Sequence, residues 1–263
     1  MDGDQKPRLT GNGAFRRNAG LTLVELLVVL AVIVLLASLL VPPGGNRGVA
    51  LKKSAQVEMK NIGLAIDQYE STYGRVPASS QAIRAAAPDF TFGTYQAGAA
   101  PTLTPVPRKK GKAQIQNNGG IGYQAPNSEV MAILMDLVTT PEGTPTANTN
   151  HALNSGRISF ISPRMAQDTH SWGVGPDLVF RDPWGNPYLI SLDVNKDGKV
   201  RDAFYSLQSV SAGSAFGFTQ ATAGTDSWEG KGNVMVWSLG PDGEADPKVP
   251  ANAGMNKDNI LSW

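Results

Sequence analysis

The sequence contains no cysteine. That removes disulfides, thiolate nucleophiles and cysteine-bound metals from consideration. Only two histidines are present, His151 and His170, too few for a histidine-rich metal site. Both fall in loop-like sequence and read as surface residues. Charge of either sign is not in excess: 23 basic and 22 acidic residues leave a net charge of +1. Such a balance offers no electrostatic footprint for nucleic acid. Serines such as Ser71 and Ser128 lack the His/Asp setting of nucleophilic catalysis, so no enzyme activity is expected. What the chain holds in quantity is glycine, 29 residues, and proline, 18 residues, which imply long loops. Its 263 residues suffice for one modest domain with appendages, or two small ones.

One long apolar run stands out. From Leu21 to Val41 the sequence is almost wholly hydrophobic. As a helix it would extend about 31 Å, against about 30 Å of bilayer hydrocarbon. Arg16 and Arg17 precede it, which places the N-terminus in the cytoplasm and sends the C-terminus across the membrane. Glu25 lies inside the run, where a charge costs about 2.5–3.5 kcal/mol on insertion scales and usually marks function. Three readings compete. A secretory signal has a shorter core and a small-residue cleavage site after it, whereas Pro42-Pro43-Gly44-Gly45 follows here. A plain signal anchor fits the length but gives Glu25 no role. The third reading comes from Gly20-Leu21-Thr22-Leu23-Val24-Glu25, which resembles the N-terminal signal of type IV pilins and type II secretion pseudopilins.

That resemblance implies cleavage by prepilin peptidase after Gly20, methylation of the new N-terminus at Leu21, and Glu25 at the fifth mature position. Family members most often carry Phe where this chain has Leu21, and many have a leader shorter than residues 1–20. A carboxylate buried in a helical bundle needs a partner. By resemblance, the N-terminal amine of a neighbouring copy supplies it, which makes Glu25 an assembly residue. The alternative is a protonated carboxyl tolerated near the membrane interface.

Beyond the Pro-Gly break, Ala55, Met59, Ile62, Ile66, Tyr69 and Tyr73 step by three and four, the stripe of an amphipathic helix. Gly74-Arg75-Val76-Pro77 stops it, and Tyr69 to Pro77 resembles the family's Y-x-x-x-x-G-R-x-P ending. Residues 78–176 read as a variable insertion region. It holds a loop-like Ala97–Pro107 stretch and a basic patch, Arg108-Lys109-Lys110-Gly111-Lys112. The patch is either a solvated loop or a contact for phosphate or lipid headgroups. Ser128 to Val138 is expected as a helix capped by Ser128. In residues 177–263, Leu178–Phe180, Tyr188–Leu192, Ala203–Leu207 and Val234–Ser238 are β-prone runs. The fold expected is α+β, a long N-terminal helix packed on a small antiparallel sheet. Its segments are a leader (1–20), a transmembrane and assembly helix (21–41), the amphipathic half (42–77), the insertion and the sheet domain.

Asp182-Pro183-Trp184-Gly185-Asn186-Pro187-Tyr188 resembles the D-P-W-G-N-x-Y turn of the type II secretion major pseudopilin. Trp237–Gly243 and Asp258–Trp263 resemble its S-L-G-x-D-G and, loosely, D-I-x-x-W elements. In that family the C-terminal loop binds calcium, which implies Leu239, Asp242 and Asp258, with Asp246 as a further candidate. The alternative is a turn held by Asp–backbone hydrogen bonds. A second calcium candidate, Asp193, Asn195, Asp197 and Asp202, matches an EF-hand opening but has Phe204 where the bidentate acid belongs. A polar hairpin turn is its alternative.

The resemblance implies a structural pseudopilin, anchored by one pass in the inner membrane with its C-terminus in the periplasm. It would then polymerise with itself and other pseudopilins on an inner-membrane assembly platform, into a periplasmic filament for type II secretion. A type IV pilin for adhesion, motility or DNA uptake is the alternative. A membrane-anchored extracytoplasmic binding protein or enzyme is a further one. No nucleic-acid partner is expected.

Overall fold

The computed structural model describes residues 22–40, 46–94, 124–213 and 216–263. The chain divides into two compact units, Met1–Arg47 and Gly48–Trp263. In the first, α1 (Leu23–Leu40) is apolar at nearly every position and contains no glycine or proline. Its side chains from Leu23 to Leu36 are exposed. Among the described residues no helix is long and apolar enough to cross a membrane. The 18 residues of α1 extend about 27 Å, a little under the hydrocarbon core of about 30 Å. Leu21 and Val41, which complete the expected span, lie outside the described residues, as do the whole 1–20 leader and the basic patch at 108–112.

The second unit is built on α2 (Asn46–Tyr73). The expected stripe is its buried face: Ala55, Met59, Ile62, Ile66 and Tyr69 are all fully buried. The helix stops at Gly74, whose φ of +66° suits a residue without Cβ. Its N–H donates to the Glu70 carbonyl at 2.7 Å. Residues 78–176 contribute α3 (Ser80–Ala85), β1 (Phe90–Phe92), α4 (Ser128–Leu134) and β2 (Gly173–Val174). The C-terminal part adds β3 (Phe180–Arg181), β4 (Leu189–Leu192), β5 (Lys199–Val200), α5 (Gln208–Ser211), β6 (Thr219–Gln220), β7 (Trp228–Lys231), β8 (Val234–Ser238) and β9 (Ile260–Leu261).

The main sheet runs β1-β4-β8-β9 and is antiparallel throughout, with Ile190 opposite both Phe92 and Val236. Side chains alternate between its faces, as strand geometry requires. Ile190, Leu192 and Val236 join α2 and α4 in one core, whereas Leu189, Met235 and Trp237 enter a second core with Val200, Phe204 and Tyr205. Two smaller antiparallel pairings flank it, β2-β3 and β5-β7-β6. The α+β expectation therefore holds for this unit.

Three local expectations need correction. The helix expected over 128–138 ends at Leu134, and Asn127 rather than Ser128 occupies its N-cap position. Asn127 makes no capping bond there. Its side chain accepts from Phe180 N and donates to the carbonyls of Phe180 and Tyr188, all within 2.9 Å. The 178–180 run pairs only at Phe180, because Leu178 adopts a φ of +59°, outside strand geometry. Ala203–Leu207 is a turn leading into α5, not a strand. Asp202 Oδ1 accepts from the N–H groups of Phe204 and Tyr205, each at 2.8 Å, and an Asx turn of this kind competes with strand pairing.

Candidate functional site

At the N-terminal signal, Gly20 and Leu21 lie outside the described residues. Thr22 and Glu25 are described, and they form a reciprocal pair. The Glu25 N–H donates to Thr22 Oγ1 at 3.2 Å, and Glu25 Oε2 accepts from Thr22 N at 2.8 Å and from Thr22 Oγ1 at 2.9 Å. This is a capping box, which satisfies donors that the first turn of a helix otherwise leaves unpaired. The T-x-x-E spacing thus sets where α1 begins and fixes the Glu25 carboxylate one turn from the expected cleavage point. Glu25 is exposed within the single chain.

The turn at 182–186 is organised by one carboxylate. Asp182 Oδ1 accepts from Trp184 N and Asn186 N, each at 2.9 Å, while Oδ2 accepts from Ser238 Oγ at 2.5 Å. Burial pushes this carboxyl up to about 6, against the pull of those donors. Gly185 has a φ of +87°, and a Cβ there would meet the His170 carbonyl at 2.4 Å, so only glycine fits. Asn186 Nδ2 donates to the Gly240 carbonyl at 2.8 Å. The two motifs, far apart in sequence, therefore meet: the turn holds the start of the 239–243 loop.

That loop also meets Asp258. A Cβ on Gly240 would lie 2.3 Å from the Asp258 carbonyl oxygen and 3.4 Å from its Oδ2. Leu239 is fully buried. Asp242 is exposed, and its Oδ1 accepts from Glu244 N at 2.8 Å. Asp246 Oδ1 likewise accepts from Lys248 N at 2.8 Å. The structure thus brings the 239–240 segment and Asp258 together.

In the second loop, Asp193 takes the N–H of Asp197 at 3.2 Å and of Gly198 at 2.8 Å, one on each oxygen. Asn195 Oδ1 also accepts from Asp197 N. Asp202 is buried within the protein, with Oδ2 accepting from Ser191 Oγ at 2.6 Å and Trp237 Nε1 at 3.0 Å. Its oxygens are engaged by the core. Lys196, at a φ of +60°, reaches from this turn to donate to the Gly74 carbonyl at 2.5 Å. The D-x-N-x-D-G segment thus forms a turn whose Lys196 caps the C-terminus of α2, as a cation near a helix C-terminus should; it is not a hairpin, because β4 and β5 pair in different sheets. Among the described residues no group of three or more His, Asp or Glu side chains is placed to hold a metal. In these loops Asp193, Asn195, Asp242 and Asp246 accept from backbone N–H groups. No function proposed below runs through an ion.

A further site escaped the sequence reading. Glu58, on α2, accepts from Trp172 Nε1 at 2.7 Å and from Tyr188 Oη at 2.5 Å. Burial raises its carboxyl above the ordinary range, while those two donors and the Arg164 charge draw it back. Arg164 in turn lies over the Trp172 ring, 5.0 Å from its centroid, a cation–π geometry. Beside them a cavity of about 390 Å³ opens between α2 and residues 160–164. The available signal was the position of Glu58, on the flank of the stripe rather than opposite it.

Among known families, the model of the prokaryotic N-terminal methylation motif matches residues 15–41. No curated protein and no solved structure matches the chain. The motif contains Gly20, Leu21 and the Thr22–Glu25 box, and it fits the processing signal of type IV pilin-like proteins, which prepilin peptidase cleaves. The signal supports a pilin-like protein, and an α+β domain on an amphipathic helix is compatible with that.

Proposed function

We propose that the chain is a structural pseudopilin of a type II secretion-like system. It is inserted in the inner membrane, cleaved after Gly20, methylated at Leu21, and polymerised into a periplasmic filament with copies of itself and other pseudopilins. The methylation motif at residues 15–41, with Glu25 held at the first turn of α1, carries this reading. The meeting of the Asp182 turn with the Gly240 loop favours secretion over a pilus, because both segments resemble elements of the secretion major pseudopilin. The proposed role is architectural, assembly rather than catalysis.

Intact-mass analysis of the membrane-extracted protein tests the processing step. Loss of residues 1–20 and gain of one methyl group is the expected result; a chain retaining Met1 through Gly20 would sink the proposal. Glu25→Leu is expected to be processed and inserted normally but to yield no sedimentable filament. Deleting the gene separates the two outputs: reduced secretion with unchanged surface pili supports the pseudopilin, and the opposite pattern supports a pilin.

A further inference from the structure

The cavity beside Glu58 is lined by two opposite charges that do not pair with each other. Each oxygen of the Glu58 carboxylate accepts one neutral donor, Trp172 Nε1 at 2.7 Å and Tyr188 Oη at 2.5 Å. A carboxylate has about four lone-pair sites, so accepting capacity is left over. Among the described residues neither Glu58 nor Arg164 takes part in an ion pair. Arg164 is exposed, and its guanidinium gives no hydrogen bond to a described residue. It lies over the Trp172 ring, 5.0 Å from the centroid. One indole therefore stands between acid and base: its N–H bonds the first and its face carries the second. Glu58 and Arg164 line the same cavity of about 390 Å³, within the range of small-molecule sites. Leu64, Phe160, Ile161 and Pro163 supply an apolar part of its wall.

These charges restrict what can enter. Glu58 is half-buried, and a carboxylate drawn out of water needs a counter-charge. A net anion answers Arg164 but is repelled by Glu58. A net cation answers Glu58 but is repelled by Arg164. A neutral apolar ligand expels water from both and compensates neither. A calcium ion needs six to eight oxygens, and no acidic cluster of that kind stands among the described residues. A ligand with both signs a few bonds apart meets both groups, and the apolar wall receives the rest of it.

We infer that this cavity binds a small zwitterion, an α-amino acid with an apolar side chain, its ammonium on Glu58, its carboxylate on Arg164 and its side chain against Leu64, Phe160 and Ile161. The guanidinium presents a planar fork of donors that matches a carboxylate. Trp172 and Tyr188 position the Glu58 carboxylate as acceptor. The site belongs to the folded domain and goes beyond the pseudopilin reading without resting on it.

Isothermal titration of the full-length chain in nonionic detergent tests this with three related probes. L-leucine carries both charges, leucinamide only the ammonium, and N-acetylleucine only the carboxylate. Leucine is expected to bind about tenfold or more tighter than either analogue, because each analogue lacks one hydrogen-bonded charge. Glycine, with both charges and no side chain, should bind more weakly than leucine. Arg164→Gln should reduce leucine to the level of leucinamide, and Glu58→Gln should reduce it to the level of N-acetylleucine. Circular dichroism checks that each variant is folded, and the probe comparison on the wild-type chain needs no variant. Equal binding of leucine and either analogue would overturn the zwitterion. Neither heat nor a thermal shift from any probe at millimolar concentration would overturn the site. Both results leave cleavage after Gly20 and filament yield unchanged, and those are the readouts on which the pseudopilin reading stands or falls.

Discussion

Asp182 shows how much one side chain can organise. Its carboxylate holds the 182–186 turn from within and bonds Ser238 across to β8. Burial raises its folded-state pKa to about 6, above the unfolded value of about 3.9. The folded chain therefore keeps a proton that the unfolded chain has lost between those values. This contribution to stability is fully present below about pH 4, declines as pH rises through about 6, and amounts to roughly 3 kcal/mol at most. Asp89, also raised to about 6 by burial, acts in the same direction. In Asp182→Asn the side chain is neutral at all pH values, so the Tm difference between wild type and variant should change between pH 4 and 7 and be flat above. A difference independent of pH would contradict the raised value. A second contrast separates space from conformation. Gly74 and Gly240 both have positive φ, but a Cβ at Gly74 meets nothing within 4 Å, whereas at Gly240 it meets a backbone oxygen at 2.3 Å. Gly74→Ala should cost about 1 kcal/mol, and Gly240→Ala clearly more, since the backbone cannot yield as a flexible side chain does. Denaturant titration of the two variants checks the order.

Helix α2 is the element on which the second unit depends, and its two faces make opposite predictions. Ile62 is fully buried among the first core, so Ile62→Ala should destabilise by about 2–5 kcal/mol. Leu64, two residues on, is 59% exposed. Leu64→Ala should change the stability of the isolated chain by less than about 0.5 kcal/mol. Urea denaturation followed by tryptophan fluorescence separates the two effects. The inner face was legible in the sequence because a 3.6-residue period needs nothing beyond the helix itself. Strand identities were less legible, because β-prone residues such as Phe204 and Tyr205 satisfy burial equally well from a turn. There, Asp202 decided the backbone by bonding to the N–H groups of Phe204 and Tyr205. β1 was not foreseen, since three residues in a glycine-, proline- and alanine-rich stretch carry too short a pattern. Its pairing with β4 is a long-range contact that local sequence does not encode.

At the scale of the molecule, the chain divides into two units of different character. The unit Met1–Arg47 holds an apolar helix whose side chains from Leu23 to Leu36 are exposed, while Gly48–Trp263 holds both cores and the described strands. The division was readable from Pro42-Pro43-Gly44-Gly45 and from the change of hydropathy there. The signal region was readable as a local pattern of sequence, and the motif match spans it. The calcium loops and the Glu58 cluster were not decided by sequence, because whether a carboxylate faces an ion, a backbone N–H or an indole depends on what folding brings beside it. If the division is physical, residues 48–263 should fold without the rest. Expressed alone, this segment is expected to be monomeric at low concentration and to unfold in one cooperative transition, since its buried apolar surface is internal to it. Removing Met1–Arg47 also removes Glu25, so the fragment should form no filament. A folded fragment that polymerised by itself would show that assembly is driven by the folded domain, and that Glu25 and α1 only set where it begins. An aggregated or molten fragment would show instead that the N-terminal helix contributes to the core, against the separation seen in the contacts.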